Sequence, residues 1–324
     1  MNIVYFIGNG FDINLGMKTR YSDFYKQYNT QNSKSELIKE LKNEIAEGII
    51  NWSDLELAFG KHTVKLKNIE EFDEVYEDIV DNLADYLISE EEKFDFKKVN
   101  VDSFLKQLST PEKFLTAEDI QELQEYKNQW KNNTWNINII TLNYTTTIEK
   151  ILGDKQANFQ IGVHHQHQII FKNIYHIHGY TDKRTVLGVN DISQIDKVDF
   201  HENEEILEAL IKTKCNRVQR HKVDKICEKN INEAHLICIF GSSIGDTDNY
   251  WWQLIGEQLR KNIKIIIFSK GEDVKERFAQ KAVRTKRSIT NLFLNKTNLP
   301  QEEKNQFKDN IYVGVNTKMF NIKS

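Results

Sequence analysis

The chain has 324 residues, enough to bury a substantial core as one large or two ordinary domains. Hydrophobic residues make up 39% and charged residues 28%, a balance that excludes a disordered chain and a membrane protein. The net charge of −4 and a pI near 6.2 leave no broad electrostatic footprint for nucleic acid, so such a contact would require a local basic patch.

Ile3 to Ile7 read as a fully buried first strand. No positively charged segment precedes this run and Gly8 stops it, so it does not read as a signal peptide. Gly8 to Gly10 form a tight turn, after which Asp12 or Asn14 is placed to cap a helix. Tyr21, Phe24, Tyr25 and Tyr28 share one face of a helix over residues 21–28, and that face reads as core packing. Helices are expected over 35–47, 102–108 and 117–130. Between them, Phe72, Val75, Tyr76, Ile79, Leu83, Tyr86 and Leu87 recur at helical spacing. Glu70, Glu71, Asp73, Glu74, Glu77, Asp78, Asp81 and Asp85 fill the other positions, which predicts a long amphipathic helix with a solvated acidic face. No strand pattern occurs here. Residues 31–134 therefore read as an all-helical insertion into a domain made of residues 1–30 and 135–324.

Ile137 to Leu142 form a second β-branched run, ending at Asn143. Residues 174–178 and 186–189 read as short strands, and 203–232 as helical. His235 to Phe240 form a third buried strand, ending at Gly241-Ser242-Ser243. Tyr250 to Leu259 read as a helix with Trp251 and Trp252 in the core, Ile263 to Phe268 as a fourth strand, 273–296 as helical and 311–315 as a last strand. Buried strands alternating with helices predict an α/β fold, a Rossmann-like parallel sheet with helices on both faces. No apolar stretch approaches the roughly 20 residues needed to cross a bilayer. Cys215, Cys227 and Cys238 are lone thiols without a CxxC pair, which fits a reducing cytosol and a cytoplasmic protein.

The polar signals sit where the runs end. Gly8-x-Gly10 after a strand suggests a turn that cradles phosphate, because glycine lets the backbone approach a pyrophosphate and the helix opening at Phe11 and Asp12 offers unpaired N–H groups. The third glycine of the dinucleotide fingerprint would fall at Ile13, and no acidic-ended strand follows at the usual distance, which argues against an ordinary dehydrogenase. Asn143 is placed to meet a ribose hydroxyl, to hold a water, or to cap a helix over 144–152. His178 has the chemistry to take a proton near neutral pH, and His176, on the same strand face, competes for that role. Of Asp246 and Asp248, one is placed to cap the following helix and the other to touch a ligand hydroxyl. His164, His165 and His167 lack the cysteine or close acidic partner of a usual ligand set, so no metal is expected. Lys281, Arg284, Lys286 and Arg287 read as a solvated helix face.

Taken together, Phe6-Ile7-Gly8-Asn9-Gly10-Phe11-Asp12, Leu15-Gly16 and Tyr21-Ser22-Asp23-Phe24 resemble the opening of the AbiH family of bacterial abortive-infection proteins. Trp52 with Asp54, Leu55 and Glu56 is similar to that family too. So are Thr141-Leu142-Asn143-Tyr144, His176-Ile177-His178-Gly179, Leu187-Gly188-Val189-Asn190, and Gly241-Ser242-Ser243-Ile244 with Asp246 and Asp248. The family is distantly similar in turn to sirtuins (SIR2-like domains). That likeness implies Asn143 as the active-site amide, His178 as the base, Gly241, Ser242 and Ser243 on a ribose of NAD, and Gly8, Asn9, Gly10, Phe11, Asp12, Tyr144, His176, Asp246 and Asp248 around the nucleotide. The four-cysteine zinc ribbon of sirtuin deacetylases has no counterpart, and Thr145 stands where they carry an aspartate. The implied activity is therefore hydrolysis of NAD to nicotinamide and ADP-ribose by an antiphage effector. Its expected partners are NAD or a related nucleotide, a phage-derived trigger and a second copy of itself, with no membrane. The alternatives are a non-catalytic NAD-binding regulator and a nuclease.

Overall fold

The computed structural model describes residues 1–155, 157–219, 222–272 and 278–323. Its α-helices, in chain order, are α1 (Gly10–Asn14), α2 (Tyr21–Tyr28), α3 (Glu36–Glu47), α4 (Leu55–His62), α5 (Ile69–Lys93), α6 (Val101–Ser109), α7 (Ala117–Lys127), α8 (Thr147–Leu152), α9 (Glu204–Leu210), α10 (Lys212–Val218), α11 (Val223–Asn232), α12 (Asn249–Gln258), α13 (Ala279–Asn295) and α14 (Gln301–Phe307). The strands are β1 (Asn2–Ile7), β2 (Trp135–Thr141), β3 (Phe159–His164), β4 (His167–His176), β5 (Leu236–Phe240), β6 (Lys264–Ser269) and β7 (Ile311–Val315).

The strands form a single seven-stranded sheet in the order β3-β4-β2-β1-β5-β6-β7. All neighbours are parallel except the β3–β4 pair. Without that antiparallel edge strand, the chain runs outward from β1 through β2 to β4, returns to β1's other side at β5, and runs outward again through β6 to β7. This is the strand order of a Rossmann fold, and its reversal lies between β1 and β5.

Period-two alternation splits each strand between two cores. Ile3, Tyr5 and Ile7 of β1 join Ile137, Ile139, Cys238 and Phe240 beneath α6, α7 and α8. Val4 and Phe6 join Ile237, Ile239, Ile265 and Ile267 beneath α11, α12 and α13. Helices thus cover both faces, as the sequence predicts. Trp252 is fully buried in the second of these cores and meets Phe6 edge-on, so the two tryptophans are packing residues.

The helical segment divides in two. Its α6 and α7 close one face of the sheet, and α2 to α5 build a third core with Leu187, Val189, Phe200, Ile206 and Leu210. The α6 contact is polar as well: Tyr5 donates from its hydroxyl to the Leu108 carbonyl at 2.6 Å in the interior. Tyr5→Phe should leave that carbonyl unpaired and cost about 1–3 kcal/mol, read as a lowered urea midpoint. An unchanged midpoint would mean that this bond adds nothing to the apolar packing of α6.

Several expectations need correction. Residues 186–189 are not a strand: they run as an extended loop that touches Ile211 through the single bridge of Val189. The strand expected at 174–178 is the end of a longer one whose hairpin partner, β3, shows no apolar run. The three histidines His164, His165 and His167 lie at that hairpin, with the His164 ring tilted against Trp135. Residues 203–232 hold three helices; Arg220 and His221 lie outside the described residues, as do 273–277 of the helix expected over 273–296. The acidic face of α5 is not wholly solvated. Asp78 is buried and accepts from the Tyr28 hydroxyl at 2.7 Å, and Glu90 and Glu91 are buried too. Helices α4 and α14 were not expected.

Candidate functional site

A cleft of about 1400 Å³ opens at the carboxyl edge of the sheet, between the strand ends and helices α2, α4 and α5. That exceeds the roughly 300–1,000 Å³ of ordinary small-ligand sites and leaves room for a dinucleotide. It lies at the chain reversal between β1 and β5, where open α/β sheets bind their ligands.

The structure brings most of the expected residues to this cleft: Gly8, Asn9, Gly10 and Asp12 after β1, Asn143 and Tyr144 after β2, His178 after β4, and Gly241, Ser242, Ser243 and Asp248 after β5. Three expected residues are placed elsewhere. Phe11 is fully buried in the core against Phe104 and Phe320. His176 donates from Nδ1 to the Asn143 carbonyl at 3.0 Å and meets Glu149 through Nε2 at 2.7 Å, so it holds the Asn143 loop from behind. Asp246 is exposed and paired with Lys296.

The first glycine turn has a different job from the one expected. The Gly8 N–H donates to the Phe240 carbonyl at 2.9 Å and the Gly10 N–H to the Gly241 carbonyl at 2.7 Å. Both donors are spent on joining the β1 and β5 turns, so neither is left for a phosphate. A Cβ on Gly10 would lie 2.4 Å from the Gly241 Cα, and Gly241 itself sits at φ +68°. These glycines are demanded by the crossing of two backbones. The Asn9 side chain is likewise engaged, by Thr19. Arg20, Lys270 and Lys318 line the same cleft and supply positive charge.

Asn143 does not cap a helix: α8 starts at Thr147, with Thr146 in the cap position. Its backbone N–H donates to Thr141 Oγ1, while its side-chain Oδ1 is buried without a hydrogen-bond partner. Asp12 is in the same condition. It lies inside α1, accepts from Thr145 Oγ1 at 2.6 Å through Oδ2, and leaves Oδ1 buried and unpaired. Burial pushes its pKa up to about 6, against the opposing pull of the Thr145 hydrogen bond and the nearby Thr147 hydroxyl. Two unsatisfied acceptors in the lining of one cleft suit a ligand rich in hydroxyl donors.

A buried chain of charge closes the other wall. His178 Nδ1 faces the Leu142 carbonyl at 3.1 Å and Nε2 faces Asp248 Oδ1 at 2.8 Å. Both ring nitrogens are thus engaged by groups of the protein itself. The same Asp248 oxygen accepts from Lys212 Nζ at 2.9 Å, and Lys212 also meets Glu56 Oε2 at 2.8 Å. Glu56 Oε1 lies 3.1 Å from the Tyr144 hydroxyl. Burial alone would raise the Asp248 pKa, but Lys212 and His178 hold it well below the usual carboxylate range. Burial would lower Lys212, and Asp248 and Glu56 instead hold it above its ordinary value. Asp248 occupies the cap position of α12 without bonding its backbone, and its Oδ1 is turned into this chain instead. Beside it, the β-branched Ile244 is buried at φ +56°, a conformation costing about 1–3 kcal/mol that tends to persist at functional sites.

The sequence reading marks Thr145 only as a departure from the sirtuin pattern and singles out neither Lys212 nor Glu91, which accepts from the Thr146 N–H at 2.8 Å. Lys212 had no signal, since nothing marks one lysine of a helix as buried. Glu56 had one, its place in the Trp52-to-Glu56 segment. Among the described residues no helix is long and apolar enough to cross a membrane. A comparison with protein families matches residues 4–269 to the one described as bacteriophage abortive infection AbiH. No curated protein matches the chain.

Proposed function

The chain belongs to the AbiH family of bacteriophage abortive infection, and we propose that it acts there as a cytoplasmic enzyme that cleaves NAD to nicotinamide and ADP-ribose. The observation that carries this reading is the unpartnered Asn143 amide oxygen in the lining of a dinucleotide-sized cleft at the sheet's chain reversal. The orphaned Asp12 oxygen beside the Asn143–Thr147 loop adds to it. The distant likeness to sirtuins at Gly8, Asn143, His178 and Gly241 supplies the choice of ligand.

The chemistry asks little of the protein. Nicotinamide leaves as a neutral pyridine, so no general acid is required. Positive charge develops on the ribose, as in glycoside hydrolysis. The site has to hold the ribose, stabilise that charge and admit a water. Asn143 would orient a ribose hydroxyl or the water. Ser242 and Ser243 would meet the adenosine ribose. Because the Gly8 and Gly10 N–H groups are spent, the pyrophosphate falls to Arg20, Lys270 and Lys318. His176 and His178 serve as supports of the Asn143 loop and of Asp248.

The test is purified full-length protein incubated with NAD, with nicotinamide measured by chromatography. Asn143→Ala should lower release by about 10²-fold with an unchanged melting curve. Binding of ADP-ribose with no product formed, even with phage extract added, would replace the enzyme with a nucleotide-binding regulator. No binding and no product would remove the nucleotide reading altogether.

A further inference from the structure

The charge chain leaves one oxygen over. Asp248 Oδ1 takes both His178 Nε2 and Lys212 Nζ, while Oδ2 has no hydrogen-bond partner among the described residues, and Asp248 lines the cleft. Asp54, the N-terminal cap of α4, lines the same cleft. Burial raises its carboxyl, Glu56 adds to that, and the charge of Asp248 raises it further, so the two carboxyls sense each other.

Resting on the NAD reading above, we infer that Asp248, rather than His178, is the member of this chain that meets the ligand, as a fixed carboxylate selecting a ribose-linked pyridine ring that carries a positive charge. Two buried donors on Oδ1 orient the group and keep it ionised. In a cleft walled by protein, its attraction for a cation exceeds what the same pair would have in water. Oxidised nicotinamide dinucleotide bears its charge on the ring nitrogen, whereas the reduced form is neutral there and nearly the same size. A cation beside Asp54 and Asp248 also relieves their mutual repulsion.

The same carboxylate serves the reaction. As the bond between C1′ and the ring nitrogen breaks, its electron pair goes to that nitrogen and the positive charge moves to the ribose carbon and ring oxygen. A water oxygen then bonds C1′ and its proton is released to solvent. NAD and water thus give nicotinamide, ADP-ribose and a proton, with nothing oxidised or reduced. Asp248 faces a cation before and during cleavage and a neutral ring after it.

Calorimetry on the full chain with three probes tests this: carba-NAD (cationic ring, not hydrolysable), NADH (neutral ring) and ADP-ribose (no ring). Wild type should bind carba-NAD at least about tenfold more tightly than NADH. Asp248→Asn should bring that ratio below about threefold while ADP-ribose affinity stays within about twofold. Asp54→Asn, which leaves the Lys212 chain in place, should lower the ratio in the same direction and stands in if Asp248→Asn does not fold. ADP-ribose bound with no preference between the rings, or a preference that survives both substitutions, overturns this inference alone. Failure of all three probes to bind wild type overturns the NAD reading and the inference with it.

Discussion

Lys212→Met should cost about 3–5 kcal/mol of stability, among the largest losses open to a single substitution in this chain. The Lys212 ammonium lies between Glu56 and Asp248, and the three side chains are 7%, 7% and 12% exposed. Removing the ammonium strips Glu56 of its buried ion-pair partner and leaves Asp248 with the His178 ring alone, which is far costlier than never having built the pair. Lys212→Arg should lose less, because it keeps the charge while disturbing the packing. The triple change Glu56→Gln, Lys212→Met and Asp248→Asn should recover part of the loss, since no bare charge then remains. Urea unfolding of the four proteins reads this directly. A loss below about 1 kcal/mol for Lys212→Met would mean that the chain of charge is solvated and weak. The consequence extends beyond stability. Lys212 ties α4 of the helical segment to the loop after β5, so its loss should loosen the two walls of the cleft against each other.

The second large effect is a dependence on pH through Asp12. Its folded-state value of about 6 lies above its ordinary 3.8, because burial penalises the charged form. The native state therefore binds this proton more tightly than the unfolded chain does. The stability that Asp12 contributes is fully present below about pH 4 and declines as the pH rises to about 6, by about 3 kcal/mol in all. Asp12→Asn keeps an acceptor for Thr145 and removes the titration. The stability difference between this variant and wild type should therefore swing by about that amount, in favour of asparagine, between pH 4 and pH 7. Parallel curves across that range would show that Asp12 does not titrate there. The same experiment bears on the site, because the Thr145 bond links α1 to the loop that presents Asn143.

How much of this was readable in advance differs by element. The runs Ile3–Ile7, Ile137–Thr141, Leu236–Phe240 and Ile265–Phe268 are buried on both faces and, apart from Asn138 and Thr141, apolar, and such runs read as buried parallel strands. The hairpin of β3 and β4 was missed because its residues are half-exposed and mixed in character, so neither period two nor a continuous run stands out. The loop at 186–189 misled because Leu187 and Val189 are buried in the core that α2 to α5 build and not by strand neighbours. Apolar sequence reports burial and leaves open which partner provides it.

The site divides along a similar line. Local sequence was enough to mark where each strand ends and a polar turn begins, because glycine, asparagine and serine after an apolar run impose that turn by backbone geometry alone. It was therefore enough for the α/β class and for most of the residues that meet at the cleft. What it left undecided is which hydrogen bonds those groups spend on one another. The N–H groups of Gly8 and Gly10 look free in sequence and are consumed by a turn some 230 residues away, and His178 looks like a base until Leu142 and Asp248 occupy both its nitrogens. A donor or acceptor is satisfied by whatever the fold brings within about 3 Å of it, and that choice is made by packing between segments remote in the chain.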